Sequence, residues 1–499
     1  MDVLGEGNLD PGGTEQHVAD VIVCSPGVSG HLSVMRPSSG ESRAATLDSG
    51  PLADALAKHE VETTYVLELR DVSQQSTDQG IQSRAQDPEG NGIEIQVPGD
   101  GEGFGQVALV TDENGIASWH WPLASDGSTD TTRSDQTVTF VIPGYQPDAR
   151  TDEGHRGVLG WFGKKVVRVL SFAIDPIIGR VGEFFAAKWE EKNRPYNLRS
   201  FTPDNYQDIV VDPLTSAEWS ALNGPRSLLF VHGTFSRAGS AFSALPRDMI
   251  EELHRRYQGR VFAFDHKTLS VDPTENGRFF AENLPDGQSL DVDIVCHSRG
   301  GHVSRVLAER QSELPFANKS LSVNQVIFVA SPNRGTILTD DKHMSDFVDS
   351  YTNVLSLLPD NAVTDILEVI VAVVKQLAAA TLKGLDGLQS MRPDGTYLAG
   401  LNSGAAVNTT YRAISANFEP GEPSWKPWAK DYLMDQVFKE ANDLVVPTHG
   451  VFEDNGDPMF PIADAERRLD IPASEGVHHG SFFGHADVQA ALLRWLQPG

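Results

Sequence analysis

Short apolar and β-branched segments, separated by turn signals, occupy the first 150 residues of the chain. Segments that alternate apolar and polar positions in this way predict β-strands. Between two of them, the segment Thr111–Gly115 ends in Asn-Gly, which readily adopts the positive φ angles of a hairpin turn. The pattern predicts a small, sandwich-like, β-rich accessory domain over residues 1–150, with strands at Val61–Arg70, Gly92–Val97, Gln106–Val110, Ile116–Trp121 and Gln136–Ile142.

The spacing of apolar residues changes to the helical period between about residues 158 and 192. We therefore expect residues 151–213 to form a helical connector with one apolar side, kinked at Pro176. Basic and aromatic residues occur together in this stretch, which is compatible with peripheral membrane contact through residues 158–192. The competing interpretation is a helix packed on the catalytic domain, because apolar helical faces usually serve protein cores.

After about residue 214 the pattern becomes strand, turn and helix, and it repeats. Short apolar strands that alternate with helical stretches predict an α/β domain with a parallel sheet covered on both faces. We expect this domain to extend over residues 214–499, with strands at Ser227–Val231, Val261–Phe264, Leu290–Val295, Gln325–Val329 and Tyr411–Ser415.

Helical sequence interrupts the alternation between about residues 340 and 402. We interpret this interval as a cap or lid. It carries a wide apolar stripe at helical spacing, which is more often buried in its own domain than exposed to lipid, although lipid contact is the alternative. The stripe consists of Val363, Ile366, Leu367, Ile370, Val373, Val374 and Leu377.

Length and charge limit the possible classes of protein. A chain of 499 residues exceeds what one hydrophobic core normally organises, so two or three domains are expected. The formal net charge of -29 opposes binding to nucleic acid phosphates. The N-terminus lacks the basic start and apolar run of a secretory signal, so we expect a cytoplasmic protein. Only Cys24 and Cys296 occur, and they imply no disulfide framework.

A candidate nucleophile lies in the segment Leu290–Arg305, where an apolar strand runs into Ser298 and then into a helix. On a sharp strand-to-helix turn, a serine projects its hydroxyl away from the sheet, and Gly300 and Gly301 give such a turn the room that it needs. The amide of Arg299 would face negative charge that develops on a substrate oxygen. The competing interpretation of this serine is an ordinary helix N-cap.

A second signal is the apolar strand Leu228–Val231, which ends in His-Gly and a turn. In a sheet with such a serine turn, the loop after that strand supplies a second amide to the oxyanion hole, the set of donors that binds the negatively charged substrate oxygen. We expect Thr234 to be this donor, with Phe235 as the alternative.

These segments resemble the α/β-hydrolase superfamily and, within it, the lipase-like esterases. The segment Val329–Thr336 also resembles the Thr-Pro-His-x-Gly-Thr turn that precedes a lipase lid, with Asn333 in place of the histidine. Cys296 stands where the family motif Gly-x-Ser-x-Gly has its first glycine, and cysteine is small enough for that position. The resemblance covers roughly residues 225–497. It implies a doubly wound, mostly parallel sheet with a helical lid, preceded here by the β-rich domain.

The resemblance also implies a catalytic triad in the chain order serine, acid, histidine. We predict Asp443 as the acid, with Asp454 and Asp464 as alternatives. We predict His479 as the base because it precedes Gly-Ser-Phe-Phe, which resembles the loop after an esterase histidine, and His478 is the runner-up.

The expected activity is hydrolysis of carboxylic esters of small molecules or lipids, through an acyl-enzyme on Ser298 and without a metal or other cofactor. A thioesterase, an amidase and a phospholipase are alternatives on the same scaffold, because fold and triad do not select a substrate. A binding protein with a vestigial hydrolase domain is the alternative from another class. The sequence does not identify a partner of the N-terminal domain.

Overall fold

The computed structural model divides the chain into two compact units. Unit 1 comprises residues 1–182 and 371–382, and unit 2 comprises residues 183–370 and 383–499. The described residues are 1–38, 50–74, 92–101, 103–113, 115–123, 137–143, 163–174, 185–339, 344–355, 360–378, 385–404, 407–419, 440–453, 460 and 462–498.

Unit 1 contains two antiparallel β-sheets and the short helix α1 (Pro51–Lys58). Its strands are β1 (Asp2–Leu9), β2 (Gln16–Val18), β3 (Val21–Cys24), β4 (Val28–Arg36), β5 (Glu62–Gln74), β6 (Gly92–Pro98), β7 (Phe104–Asp112), β8 (Ala117–His120), β9 (Thr137–Pro143) and β10 (Gly163–Ala173). One sheet has the order β1-β4-β5-β10-β7-β8, and the other has the order β2-β3-β6-β9. All five strands that the sequence predicts between residues 61 and 142 are present.

The two sheets of unit 1 share a hydrophobic core. Leu67 and Val167 of the first sheet and Ile95 and Phe140 of the second belong to the same buried cluster. The strand period of two places such side chains on one face of each sheet. The predicted hairpin joins β7 to β8 with Gly115 at a φ of 77°, while Asn114 lies outside the described residues.

The predicted helical connector is wrong over Gly163–Ala173, which forms strand β10. β10 lies between β5 and β7 and pairs antiparallel with both. Val167 and Val169 are buried on either side of the partly exposed Arg168, so the chain follows a period of two. β-Branched residues fit this pleated surface, and two distant strands satisfy the backbone of β10. Residues 163–173 therefore do not form the helix that was considered for membrane contact. Pro176, where a kink is expected, lies outside the described residues.

Unit 2 is built on a mostly parallel sheet, as the α/β prediction requires. Its strands are β11 (Asn197–Ser200), β12 (Arg226–Val231), β13 (Val261–Asp265), β14 (Ser289–His297), β15 (Ser320–Val329), β16 (Thr410–Ala416) and β17 (Arg468–Ile471). Their order is β11-β13-β12-β14-β15-β16-β17, and all neighbours are parallel except β11 and β13. The five strands predicted after residue 214 are confirmed.

Helices connect these strands because parallel strands need crossover connections. The described helices that begin in unit 2 are α2 (Phe185–Asn193), α3 (Ser216–Leu222), α4 (Ala238–Ala241), α5 (Arg247–Arg256), α6 (Pro273–Asn283), α7 (Gly300–Glu309), α8 (Met344–Leu355), α9 (Asp360–Ala378), α10 (Asp386–Gln389), α11 (Thr396–Leu401) and α12 (Ala486–Trp495). Helix α2 and strand β11 show that residues 185–200 also depart from a single helical connector.

The order of strands in unit 2 positions the candidate site. From β12 the chain passes to β13 on one side, and it then returns to β14 on the other side of β12. Ligands of open α/β sheets bind at such a switch point, beyond the carboxyl ends of the strands. Gly233 and Thr234 follow β12 and Ser298 follows β14, so these residues meet at this edge.

The described residues of the interval predicted as a cap form helices α8 to α11, with a turn between α10 and α11. Six residues of the apolar stripe on α9 are buried, and Leu377 is partly buried. No helix in the described ranges has both the length and the apolar character that crossing a bilayer requires.

Candidate active site

Ser298 lies on a strained turn between β14 and α7. Its φ angle is 50°, in the left-handed region that residues with a Cβ atom rarely adopt. Its amide donates a hydrogen bond to the carbonyl of Val329 (2.9 Å), and its own carbonyl accepts one from Gly301 (2.9 Å). These bonds hold the turn in a conformation that is found most often at functional sites.

Three glycines surround Ser298 at positions that have no room for a side chain. A Cβ atom at Gly300 would lie 2.4 Å from the carbonyl oxygen of Val231, and one at Gly301 would lie 2.5 Å from Oγ of Ser331. A Cβ atom at Gly233 would lie 2.6 Å from Cβ of Ser298. The loop after β12 therefore approaches the serine as closely as two backbones allow.

Cys296 occupies the position of the first glycine in the family motif without distorting the strand. Its thiol is fully buried and donates a hydrogen bond to the carbonyl of Ile327 (3.4 Å). Burial raises the pKa of Cys296 to about 12. The side chain therefore acts as a small, protonated core residue.

Asp443 and His479, the predicted acid and base, are in direct contact. The distance from Nδ1 of His479 to Oδ2 of Asp443 is 2.9 Å, and both side chains are 2% exposed. The other carboxylate oxygen accepts the amides of Val445 (3.0 Å) and Val446 (2.7 Å). Because Nδ1 faces a carboxylate, it carries the proton and Nε2 is left to accept one.

The alternatives to these two residues have other contacts. Nδ1 of His478 accepts the amide of Gly480 (3.3 Å), and its ring packs edge-on against Phe418. Asp464 accepts the amide of Glu466 as a helix cap (2.9 Å), and Asp454 lies outside the described residues. The structure thus brings His479, rather than its neighbour, to the acid.

His297 connects the serine turn to the histidine loop. Its Nε2 donates a hydrogen bond to the backbone carbonyl of His479 (3.0 Å). Burial, with a smaller contribution from the charge of His479, lowers the pKa of His297 to about 3. A neutral imidazole next to the nucleophile thereby fixes the loop that carries the base.

The expected oxyanion donors differ in their hydrogen bonding. The amide of Phe235, the alternative donor, already donates to Oγ1 of Thr268 (3.3 Å). Within the described ranges, the amides of Thr234 and Arg299 have no hydrogen-bond acceptor. Both amides belong to turns that adjoin Ser298. They therefore fit the expected role of oxyanion donors better than the amide of Phe235 does.

Two stacked histidines support the loop after β12. The rings of His232 and His266 are 4.2 Å apart and inclined by 10°. Nε2 of His232 accepts the amide of His266 (3.0 Å), and Nε2 of His266 donates to the carbonyl of His232 (3.0 Å). Burial lowers the pKa of His232 to about 3 and that of His266 well below its ordinary value. Both rings are therefore neutral, structural parts of the site.

Two buried charges brace the loop 267–271, which follows β13. The carboxylate of Glu190 accepts the amides of Thr268 (2.6 Å), Leu269 (2.9 Å) and Ser270 (2.9 Å). The guanidinium of Arg299 donates to the carbonyls at both ends of the loop and to Gly387. Thr268 in turn binds the amide of Phe235. Sequence reasoning used only the amide of Arg299 and missed Glu190, which has no local motif.

Tyr351 of helix α8 is a second residue of the site that sequence reasoning missed. Its hydroxyl lies 3.4 Å from Nε2 of His479, and its ring packs edge-on against the ring of His479 at 5.9 Å. Its ring packs edge-on against Phe235 at 4.8 Å. Burial raises the pKa of Tyr351 above the ordinary phenol value, so its hydroxyl remains protonated.

A pocket of ≈ 320 Å³ is lined in part by residues of the loop 232–236, and Ser298 is not among its lining residues. Its lining includes Arg194, Arg237, Asp265 and His266. Arg194 is already paired with Asp365 of α9 at 2.6 Å, and Asp265 is paired with the buried Arg199 at 3.0 Å. The charges around this pocket therefore serve the packing of unit 2.

Comparison with solved structures finds a lipase, an α/β hydrolase family protein and an enol-lactonase at low similarity. Lipase 1 from Pelosinus fermentans is 14% identical, with a TM-score of 0.34 over 53% of this chain and 94% of that chain. A putative α/β hydrolase family protein from Desulfitobacterium hafniense is 14% identical, with a TM-score of 0.29 over 54% and 94%. The enol-lactonase from Burkholderia xenovorans LB400 is 11% identical, with a TM-score of 0.29 over 60% and 95%. Similarity at this level does not define an activity.

The comparison with curated proteins found no match. A family described as a domain of unknown function, DUF7379, matches residues 193–497. This range contains Ser298, Asp443 and His479, together with the loops that surround them. Since the match covers more than half of the chain, the protein belongs to the DUF7379 family.

Proposed function

We propose that unit 2 is an α/β-hydrolase domain that hydrolyses carboxylic esters through an acyl-enzyme on Ser298. The observation that carries the proposal is the backbone of this serine, a non-glycine residue with a φ of 50° between a central strand and a helix. A turn of this kind aims a hydroxyl out of the sheet, towards the loops at its carboxyl edge. The buried pair of His479 and Asp443 supports the same proposal.

In the first half of the reaction, Oγ of Ser298 attacks the ester carbonyl while Nε2 of His479 takes the hydroxyl proton. Negative charge then develops on the carbonyl oxygen. The amides of Thr234 and Arg299 are the donors that we propose for this oxyanion, because both adjoin the serine. The bond to the leaving alcohol breaks, and the alcohol departs with the proton from His479.

In the second half, His479 takes a proton from water, and the hydroxide attacks the acyl-serine. The resulting intermediate collapses to the free acid, and the proton returns to Ser298. Asp443 stabilises the transient imidazolium and fixes its orientation, while two backbone amides hold the carboxylate. In the proposed cycle, side chains and backbone amides of the chain supply every catalytic group, and water is the second reactant.

Aromatic side chains near Ser298 support an apolar acyl group in the substrate. Phe235, Phe347 and Tyr351 pack against one another at centroid distances of 4.8 to 5.4 Å. We propose that the cap helices α8 and α9 serve as a lid for such a substrate and that unit 1 is an accessory domain. Initial rates on matched esters, thioesters and amides of one acyl chain would identify the leaving group, and we expect the ester to react fastest.

The test of the proposed function is Ser298→Ala. We expect ester hydrolysis to fall by about three to six orders of magnitude, the usual result of removing a nucleophile. A fluorophosphonate probe should label the wild type and not the variant. Ser227→Ala is a matched control, because Ser227 is equally buried but lies at the opposite end of β12.

Activity that survives in Ser298→Ala would contradict the assignment. A folded wild-type protein that neither labels nor hydrolyses any ester would favour a non-catalytic binding role for the domain instead.

A further inference from the structure

The hydroxyl of Tyr351 lies among the groups that the proposed reaction uses. It is 3.4 Å from Nε2 of His479, the atom that takes the proton of Ser298 in the proposed reaction. The tyrosine thus contacts the base through its hydroxyl and the loop of the oxyanion hole through its ring. The residue is only 6% exposed, and it belongs to helix α8 rather than to a loop that follows a strand.

An ester must occupy the same space in order to react. Its carbonyl carbon has to approach to about 3 to 3.5 Å from the serine oxygen, with its own oxygen near the oxyanion donors. The leaving oxygen has to lie within hydrogen-bond reach of Nε2 of His479. A phenol oxygen 3.4 Å from Nε2 of His479 occupies the place that the leaving oxygen has to take, and it therefore excludes the substrate.

Aromatic contacts hold the phenol in place. The ring of Tyr351 packs edge-on against Phe235 at 4.8 Å and against Phe347 at 4.9 Å. Phe347 lies one turn earlier on α8, and Phe235 belongs to the loop after β12. The tyrosine therefore links its helix to the loop that carries the oxyanion donor Thr234.

We propose that Tyr351 determines which esters reach Ser298, because substrate binding has to displace its phenol from the reaction centre. This inference rests on the proposed function. The favoured substrates are esters whose acyl group is large and apolar enough to replace the contacts of the ring with Phe235 and Phe347. Small polar esters replace few of these contacts, so they compete poorly with the tyrosine.

The size of the effect follows from a closed and an open arrangement of the side chain. The apparent affinity for a substrate falls by the fraction of molecules in which the site is open. Where two aromatic contacts and one hydrogen bond hold the site closed in about nine molecules of ten, the apparent affinity is about tenfold weaker. Removal of the ring restores this factor for a small substrate, whereas a large apolar substrate already displaces the ring.

The experiment measures the rate of labelling of Ser298 by two fluorophosphonates, one with methyl-sized groups and one with a long alkyl chain. We expect Tyr351→Ala to react about tenfold faster than the wild type with the small probe, and to change little with the long probe. Tyr351→Leu, which keeps an apolar side chain in the helix, covers the case in which the alanine variant fails to fold. Tyr411→Phe is the matched control, since Tyr411 is a buried tyrosine of β16 whose hydroxyl contacts Glu309.

Tyr351→Phe separates blocking by the ring from chemistry by the hydroxyl. If the ring blocks the site, this variant should label at a rate between those of the wild type and Tyr351→Ala. A hundredfold slower reaction in Tyr351→Phe, with no gain in Tyr351→Ala, would overturn the proposal and make the phenol a catalytic donor. Equal rates for the wild type and Tyr351→Ala with both probes would also overturn it. Absence of labelling in every folded variant would instead refute the proposed function, and the inference with it.

Discussion

Replacement of Asp443 by asparagine tests the geometry of the site, because it exchanges one carboxylate oxygen for an amide nitrogen and changes little else. The carboxylate accepts three hydrogen bonds, from Nδ1 of His479 at 2.9 Å and from the amides of Val445 at 3.0 Å and Val446 at 2.7 Å. In Asp443→Asn, the amide oxygen retains the two backbone bonds. The new NH₂ group then faces Nδ1 of His479, so two donors meet.

The imidazole escapes this conflict by moving its proton from Nδ1 to Nε2. In that tautomer Nε2 donates a hydrogen bond and no longer accepts the proton of Ser298. We therefore expect kcat to fall about ten-thousandfold, a barrier increase of about 5 kcal/mol. Because two of three hydrogen bonds to the side chain persist, the free energy of unfolding should fall by only about 1 to 2 kcal/mol.

The assay is hydrolysis of a chromogenic short-chain ester at saturating substrate, alongside urea unfolding of the same samples. Asp464→Asn is the matched control, since Asp464 caps a short helix and should leave kcat unchanged. A kcat within tenfold of the wild type in a folded Asp443→Asn variant would refute the role of this acid.

Gly300→Ala should lower the free energy of unfolding by about 3 kcal/mol in urea titrations, because a Cβ atom has no room there, whereas Gly400→Ala, with nothing within 4 Å of its Cβ, should not. Cys296 should resist iodoacetamide at pH 8 in the folded protein, as mass spectrometry would show, because burial raises its pKa to about 12. Burial lowers the pKa values of His232 and His297 from 6.5 to about 3. Between these two values of pH, the unfolded chain therefore binds more protons than the folded protein. The free energy of unfolding should therefore fall as pH decreases from about 6.5 towards 3, by about 1.4 kcal/mol per pH unit for each histidine, and a flat profile in urea titrations would contradict this.

The sheet of unit 2 could be predicted from the sequence because its strands are buried on both faces. Such strands appear as continuous apolar runs, as in residues 228–231 and 326–329. The serine turn could be predicted for a related reason, since Gly300 and Gly301 mark the places where a side chain does not fit. Both signals are local, so a single sequence contains them.

The sequence predicts a helix where the structure has strand β10, because the interactions that determine this strand are not local. Apolar residues at positions 166, 170 and 174 fit a helical period, while Val167 and Val169 fit a strand. The two patterns overlap, and pairing with β5 and β7, which lie far away in the sequence, decides between them.

The same reason explains the residues of the site that sequence reasoning missed. Tyr351 lies on a helix next to the predicted cap stripe, and it meets His479 only in the folded chain. Glu190 forms its four hydrogen bonds with a loop about 80 residues later. A single side chain with distant partners leaves no periodic or motif signal.

The brace formed by Glu190 determines where the chain can be cut. A fragment that begins at residue 214 would retain every strand of the sheet except β11, yet it would leave the amides of residues 268–270 without their carboxylate. Three buried donors would then need water inside the protein, and the support that Thr268 gives to Phe235 would weaken. A shortened protein that is meant to keep this loop should therefore retain α2, the helix that carries Glu190.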